Sequence, residues 1–217
     1  MKRLVFLVEG DTEVILVNNH IIPFLYGLGF KNQMNVQTII SNRKLHSKGG
    51  NINYSYLKND VKRIFAQGNV IITTFLDFFR LPNDFPGYTE EASKIGQIEN
   101  AVKDDLQKYG LSIYPYIQKH ELEALMFSSM DGFELVVEDI NALANLRELV
   151  ELNSPEDING GRDTAPSKRL MSLFPYEKTI DGELILEMVG LDQMKSQCPR
   201  FNNWLTKLIR ILEQDNE

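Results

Sequence analysis

Residues 2–13 read KRLVFLVEGDTE, and their order decides the architecture. Leu4, Val5, Phe6, Leu7 and Val8 make an unbroken apolar run, the pattern of a parallel strand buried on both faces. The run stops at the carboxylate of Glu9. Gly10 supplies a turn, Asp11 or Thr12 can cap a helix, and Glu13 falls in that helix's first turn. A strand over Arg3–Val8 feeding directly into a helix is therefore expected. It leaves Glu9 at the strand's carboxyl end, the rim where open α/β sheets hold their ligands. An acid there suits a metal ion and would repel a bare phosphate.

The same alternation continues outward. Helix one carries Val14, Ile15, Ile21 and Ile22, with Pro23 kinking or restarting it before Gly27 and Gly29. A second strand is expected over 35–40, then a polar loop over 41–53, then a helix bearing Tyr56, Leu57, Val61, Ile64 and Phe65. Residues 69–76 are almost wholly apolar and β-branched, which predicts a central strand ending at Asp77. After a Pro- and Gly-containing loop, a helix is expected over 89–109. A fourth strand follows over 112–118, placed at an edge by Pro115. This order predicts an α/β fold: a mostly parallel, Rossmann-like sheet of about four strands flanked by helices. Helices are expected later over 138–152, Pro166–Leu173, 182–189 and 200–215, joined by loops holding Pro155, Gly160, Gly161, Pro175 and Pro199. The division expected is an α/β domain over 1–130 and a helical C-terminal extension over 131–217.

Bulk properties narrow the functional classes. The 217 residues are 43% hydrophobic and 24% charged, ordinary for a globular chain, with a net charge of −7. That charge argues against holding nucleic acid by bulk electrostatics alone, while leaving room for a local basic groove or a basic partner. The single cysteine, Cys198, excludes an internal disulfide and a Cys-based zinc site. No apolar run approaches the roughly 20 residues that span a bilayer. Glu9 and Asp11 interrupt the N-terminal apolar run, so no signal peptide and a cytoplasmic location are expected.

Chemistry concentrates in few places. Two strands end in acids, Glu9 and Asp77, and in a parallel sheet both ends lie on one rim. Hard oxygen ligands of this kind suit Mg²⁺ or Mn²⁺; each acid alone could equally be a solvated terminus or a cap. In KHELEALMF, residues 119–127, helical winding at 100° per residue buries Leu122, Leu125 and Met126. His120 and Glu123 then share the opposite face, with Glu121 on the flank. His120 could shuttle a proton and Glu121 or Glu123 complete a metal site, or the helix could be a surface one with paired polar groups. Arg43, Lys44 and Lys48, with Gly49 and Gly50, form a basic loop that could contact phosphate or, like most basic loops, simply be solvated. Lys168 and Arg169, near Arg162 and just after Pro166, place charge at a helix N-terminus, a natural phosphate seat. Tyr114, Tyr116 and Trp204 read as core residues. There is no P-loop, GxGxxG after a strand, GxSxG or HExxH.

VEGDTE (residues 8–13) and the strand ending in FLDFF (residues 75–79) resemble the Toprim domain of topoisomerases, bacterial primases, recombination proteins and the overcoming-lysogenization-defect (OLD) nucleases. Joined with LPNDFPG (81–87), YIQKHELEALMF (116–127), APSKRL (165–170) and CPRFNNWL (198–205), they resemble a family of small bacterial Toprim-like proteins catalogued as a domain of unknown function. By that resemblance Glu9 matches the glutamate proposed as metal ligand or general acid/base, and Asp77 the first acid of an Asp-x-Asp pair. Phe79 stands at the second position, so Glu121, Glu123 or Asp84 would have to supply the missing carboxylate. The resemblance implies a Mg²⁺- or Mn²⁺-dependent nuclease of DNA processing or phage defence. Nucleic acid and an ATPase are its expected partners, and a homodimer is a further expectation. Catalysis would rest on Glu9, His120 and Lys168, metal binding on Glu9, Asp77, Glu121 and Glu123, and phosphate contacts on Arg43, Lys44, Lys48, Lys168 and Arg169. The competing expectations are a non-catalytic subunit that regulates or binds an ATPase and a small-molecule phosphohydrolase.

Overall fold

β1 (Arg3–Val8) forms where the apolar run places it, and Leu4 to Val8 are fully buried. The computed structural model describes residues 1–42, 47–48, 52–158, 161 and 163–216, and only the backbone of 41, 42, 47 and 48. Along one side of β1 runs β2 (Met34–Thr38), in parallel. The polar loop expected next is in part a hairpin, β3 (Ile40–Asn42) antiparallel to β4 (Ser47–Lys48). On the other side of β1 lies β5 (Val70–Asp77), also parallel and as buried as its composition predicts. β6 (Ile117–Gln118) takes the edge, giving the order β2-β1-β5-β6.

That edge strand is much shorter than expected, and Pro115 explains why. Proline has no amide to give to a ladder, so threonine side chains of β5 substitute. Thr73 Oγ1 donates to the Tyr114 carbonyl at 2.7 Å, and Thr74 Oγ1 donates to the Tyr116 carbonyl at 2.8 Å while accepting from its amide at 2.9 Å. Glu99 then accepts the Ile117 amide at 2.9 Å.

The helices of this part follow the sequence with one elaboration. α1 (Asp11–Leu16) passes into a π-helical stretch, Val17–Ile21, before α2 (Ile22–Gly27). The Pro23 ring would collide with the Asn19 carbonyl in an unbroken α-helix, and the wider π winding precedes it. α3 (Tyr54–Phe65) and α4 (Ile95–Gln107) share a core with the sheet: Leu57, Val61 and Ile64 with Ile98, Val102 and Leu106, over Val5, Leu7, Ile72 and Leu76. Burying a side chain of this size is worth about 1.5–3 kcal/mol, so this layer fixes the strand ends that carry Glu9 and Asp77.

The chain divides into two units, Met1–Ile117 with Lys207–Glu217 and Gln118–Thr206. The second holds a 3₁₀ turn, Leu122–Ser128, then α5 (Asp131–Val136), which the sequence reading lacked, and α6 (Ile140–Leu152). α7 (Pro166–Leu173) has the expected bounds. α8 (Asp181–Gln197) is interrupted at Gly190, whose φ of 70° is left-handed, so the helix expected to stop at Val189 does stop and then resumes. α9 (Pro199–Asn216) closes the chain. Among the described residues no helix is long and apolar enough to cross a membrane.

Candidate metal and phosphate site

Val8 of β1 stands opposite Phe75 of β5. Glu9 is therefore level with Leu76, and Asp77 lies one step further along the same rim. Neighbouring strands are roughly 4.8 Å apart, a gap two acidic side chains can close. Strict alternation would send the two to opposite faces, so an ion shared by both would have to sit off the rim itself. Both residues are half-buried and both interact with neighbours.

The turn between β1 and α1 is fixed by Glu13. Its Oε2 accepts the Gly10 amide at 3.0 Å, and the Gly10 carbonyl accepts the Val14 amide at 3.2 Å. The cap is thus Gly10, in extended backbone, rather than Asp11 or Thr12. A Cβ at Gly10 would lie 3.2 Å from Glu13 Oε2, so a side chain there would crowd the carboxylate that orders the turn. Asp84, a sequence candidate for the missing acid, accepts the Tyr54 amide at 3.0 Å at the start of α3, beside the Asn53 cap.

Among the described residues no group of three or more His, Cys, Asp or Glu side chains is arranged to hold a metal ion. The rim offers a pair, Glu9 and Asp77. A pair is a workable donor set for Mg²⁺, which commonly takes one or two protein carboxylates and completes its shell with water and phosphate oxygens.

The KHELEALMF segment differs from the amphipathic surface helix expected of it. Leu122–Ser128 winds as a 3₁₀ turn, and all seven residues are buried. His120 lies outside that turn with φ of 67°, so it shares no helical face with Glu123. Glu121 accepts from the Ser167 amide and hydroxyl, both at 2.9 Å. The N-terminus of α7, expected to seat a phosphate beside Lys168, therefore holds an internal carboxylate instead. Glu156 does the same for α9, accepting the amides of Arg200 at 3.0 Å and Phe201 at 3.1 Å. Lys168 is exposed, and the Arg169 side chain donates to the Thr164 carbonyl at 2.9 Å.

Glu123 is 1% exposed and pairs with Lys178 Nζ at 2.7 Å. Burial pushes its carboxyl above the usual range; the Lys178 ammonium opposes that shift and the Glu121 charge adds to it. Tyr176 is buried nearby, its phenol held well above the ordinary value first by burial and then by the Glu123 charge. Sequence reasoning missed Lys178 and Tyr176 because no local spacing ties them to Glu123.

Burial drives His120 down to about 4, the Lys119 charge adds to that, and Asp157, which pairs with Lys119, works against it. The folded value lies below that of the unfolded chain, near 6.5. Its contribution to stability is therefore full above pH 6.5 and is lost as pH falls toward 4, at most about 3 kcal/mol. Urea unfolding midpoints measured across this window are expected to fall for the wild type and to flatten for His120→Asn. Equal slopes in the two proteins would show that His120 does not carry the effect.

Arg43, Lys44 and Arg162 lie outside the described residues, as do Gly49 and Gly50. Lys48 is described through its backbone, which pairs with Ile40. Tyr116 and Trp204 are core residues as expected, whereas Tyr114 is 36% exposed.

A search of curated proteins finds no match. Among solved structures, the C-terminal region of the OLD protein of Xanthomonas campestris pv. campestris is similar at 16% identity. The alignment covers 100% of this chain and 98% of that one, with a TM-score of 0.46. The family model described as a domain of unknown function, DUF4276, matches residues 8–209, a span that takes in Glu9, Asp77, His120, Glu121, Glu123 and Lys168. The chain belongs to that family.

Proposed function

We propose that this protein is a Mg²⁺- or Mn²⁺-dependent phosphodiesterase acting on nucleic acid, in DNA processing or phage defence, with an ATPase as partner. The observation that carries the reading is the pair of acids on one rim: Glu9 after β1 and Asp77 at the end of the adjacent parallel strand β5. The Toprim resemblance of VEGDTE and FLDFF supports the same assignment. Glu9 and Asp77 would hold the ion. When bound, it would neutralise the scissile phosphate and make water a stronger nucleophile. Glu13 holds the turn that presents Glu9, through the Gly10 amide. In the second unit, burial lowers His120 to about 4 and keeps it a free base at neutral pH, and Lys168 carries an exposed ammonium; the ion-binding role rests on Glu9 and Asp77 of the first unit alone. The net charge of −7 favours a partner that supplies the cationic surface for nucleic acid.

A non-catalytic Toprim-type scaffold is the second reading. Phe79 stands where the second acid is expected, and both Asp84 and Glu121 are committed to helix termini. Cleavage of DNA, RNA and nucleotides, assayed with Mg²⁺ or Mn²⁺ in wild type, Glu9→Ala and Asp77→Ala, decides between them. The phosphodiesterase reading expects metal-dependent cleavage of a polynucleotide by the wild type and its loss in both variants. Cleavage of nucleotides alone would move the assignment to a small-molecule phosphohydrolase. No cleavage with either metal, with the ATPase partner present, would leave the scaffold.

A further inference from the structure

We infer that the outer side of α8 is a docking surface for a partner protein's basic amphipathic helix. The helix is anchored through Gly182, Ile185, Leu186 and Val189, which are buried. Its opposite side carries Leu184 and Met188, exposed by 44% and 47%, and Ile180 at the N-cap, exposed by 58%, extends the line. Spaced at i, i+4 and i+8, they form one stripe within an arc of about 80°. Single exposed apolar residues are ordinary; three in one line offer the i, i+4, i+8 spacing that an apolar helix face can pack against.

The charge around the stripe selects the occupant. At helical spacing Glu183 and Glu187 border it on one side and Asp181 on the other. Between Lys178 and Lys195 the sequence has no cation; Lys178 pairs with Glu123 at 2.7 Å, and Lys195 and Asp192, beyond the break at Gly190, pair at 3.0 Å and add no net charge to the border. An apolar seam with acidic borders matches a helix that offers leucine-like anchors flanked by Lys or Arg. A second copy of this face would bring like charges together, and an anionic membrane surface would be repelled. This inference is independent of the metal chemistry proposed above.

The full chain is titrated against a labelled synthetic helix of about fourteen residues, Leu at i, i+3 and i+4 and Lys elsewhere, read by fluorescence anisotropy. A counterpart with Glu in place of Lys serves as control. The Leu/Lys helix should bind the wild type and the Leu/Glu helix should not. Leu184→Asp makes the protein more acidic yet should weaken binding at least tenfold. Glu183→Lys with Glu187→Lys should weaken it as much, while Glu148→Lys with Glu151→Lys on exposed α6 positions, the same change in net charge, should alter it less than threefold. Thermal unfolding confirms that each variant is folded. Undiminished binding by Leu184→Asp, or equal losses in the two charge-reversed pairs, would reduce the effect to general electrostatic attraction and overturn the docking surface. Self-association of the wild type dispersed by Leu184→Asp, or binding to phosphatidylglycerol vesicles through the stripe, would overturn it in favour of those occupants.

Discussion

Gly132→Val should destabilise the second unit by about 3 kcal/mol, whereas Gly96→Ala, also a glycine in a helix, should be neutral or stabilising by up to about 1 kcal/mol. The two glycines differ in what a side chain would meet. A Cβ on Gly132 of α5 would lie 2.7 Å from the Ile185 carbonyl oxygen and 2.8 Å from its Cα, both backbone atoms of α8. Backbone cannot rotate away as a flexible side chain can, so α5 and α8 must separate and give up the packing between them. A Cβ on Gly96 of α4 would meet nothing within 4 Å. There the change should mainly reduce the freedom of the unfolded chain. Urea denaturation of both variants gives the comparison. A wild-type midpoint for Gly132→Val would mean that the α5–α8 crossing tolerates an added side chain, and that the close approach is not what selects glycine.

The ease of reading each part of this fold tracks how local its cause is. β1 was legible because one apolar run and one terminal acid define it, and α7 because Pro166 marks its first residue. The edge strand is shorter than its sequence predicts. Pro115 signals an edge, but nothing nearby reveals that two threonine hydroxyls on β5 will take over the ladder. The segment after β6 winds more tightly than its apolar spacing predicts. A period of 100° per residue puts Glu123 on an outer face, whereas 3₁₀ winding is close to 120° and the segment is buried throughout. Partners far along the chain were the least legible. Ser167 claims Glu121 across 46 residues, which turns an expected ligand into a helix cap and fills an expected phosphate seat. The rim acids were accessible to sequence reasoning for the opposite reason. Asp77 ends β5 and Glu9 directly follows β1, and a parallel sheet needs only the strand directions to place both on one edge.

Glu9→Gln and Asp77→Asn should each lower divalent-metal-dependent cleavage by about a hundredfold or more, with the double substitution little worse than either alone. Both changes preserve shape while removing one negative charge, so a loss reports chemistry rather than packing. If the two carboxylates share one ion, removing either weakens the same bound metal, and the second removal finds little left to lose. Each single variant should also need a higher Mn²⁺ concentration for half-maximal rate, and excess Mn²⁺ should restore part of the activity. Independent roles predict a different pattern: losses that multiply, and a metal requirement that moves in only one variant. Single-turnover rates across a Mn²⁺ titration, for wild type, both singles and the double, separate the two cases. Multiplicative losses would break the shared site even if both acids proved essential. The register of Val8 with Phe75 puts the two acids on one rim, and losses that fail to multiply are the result expected of two carboxylates acting on one ion.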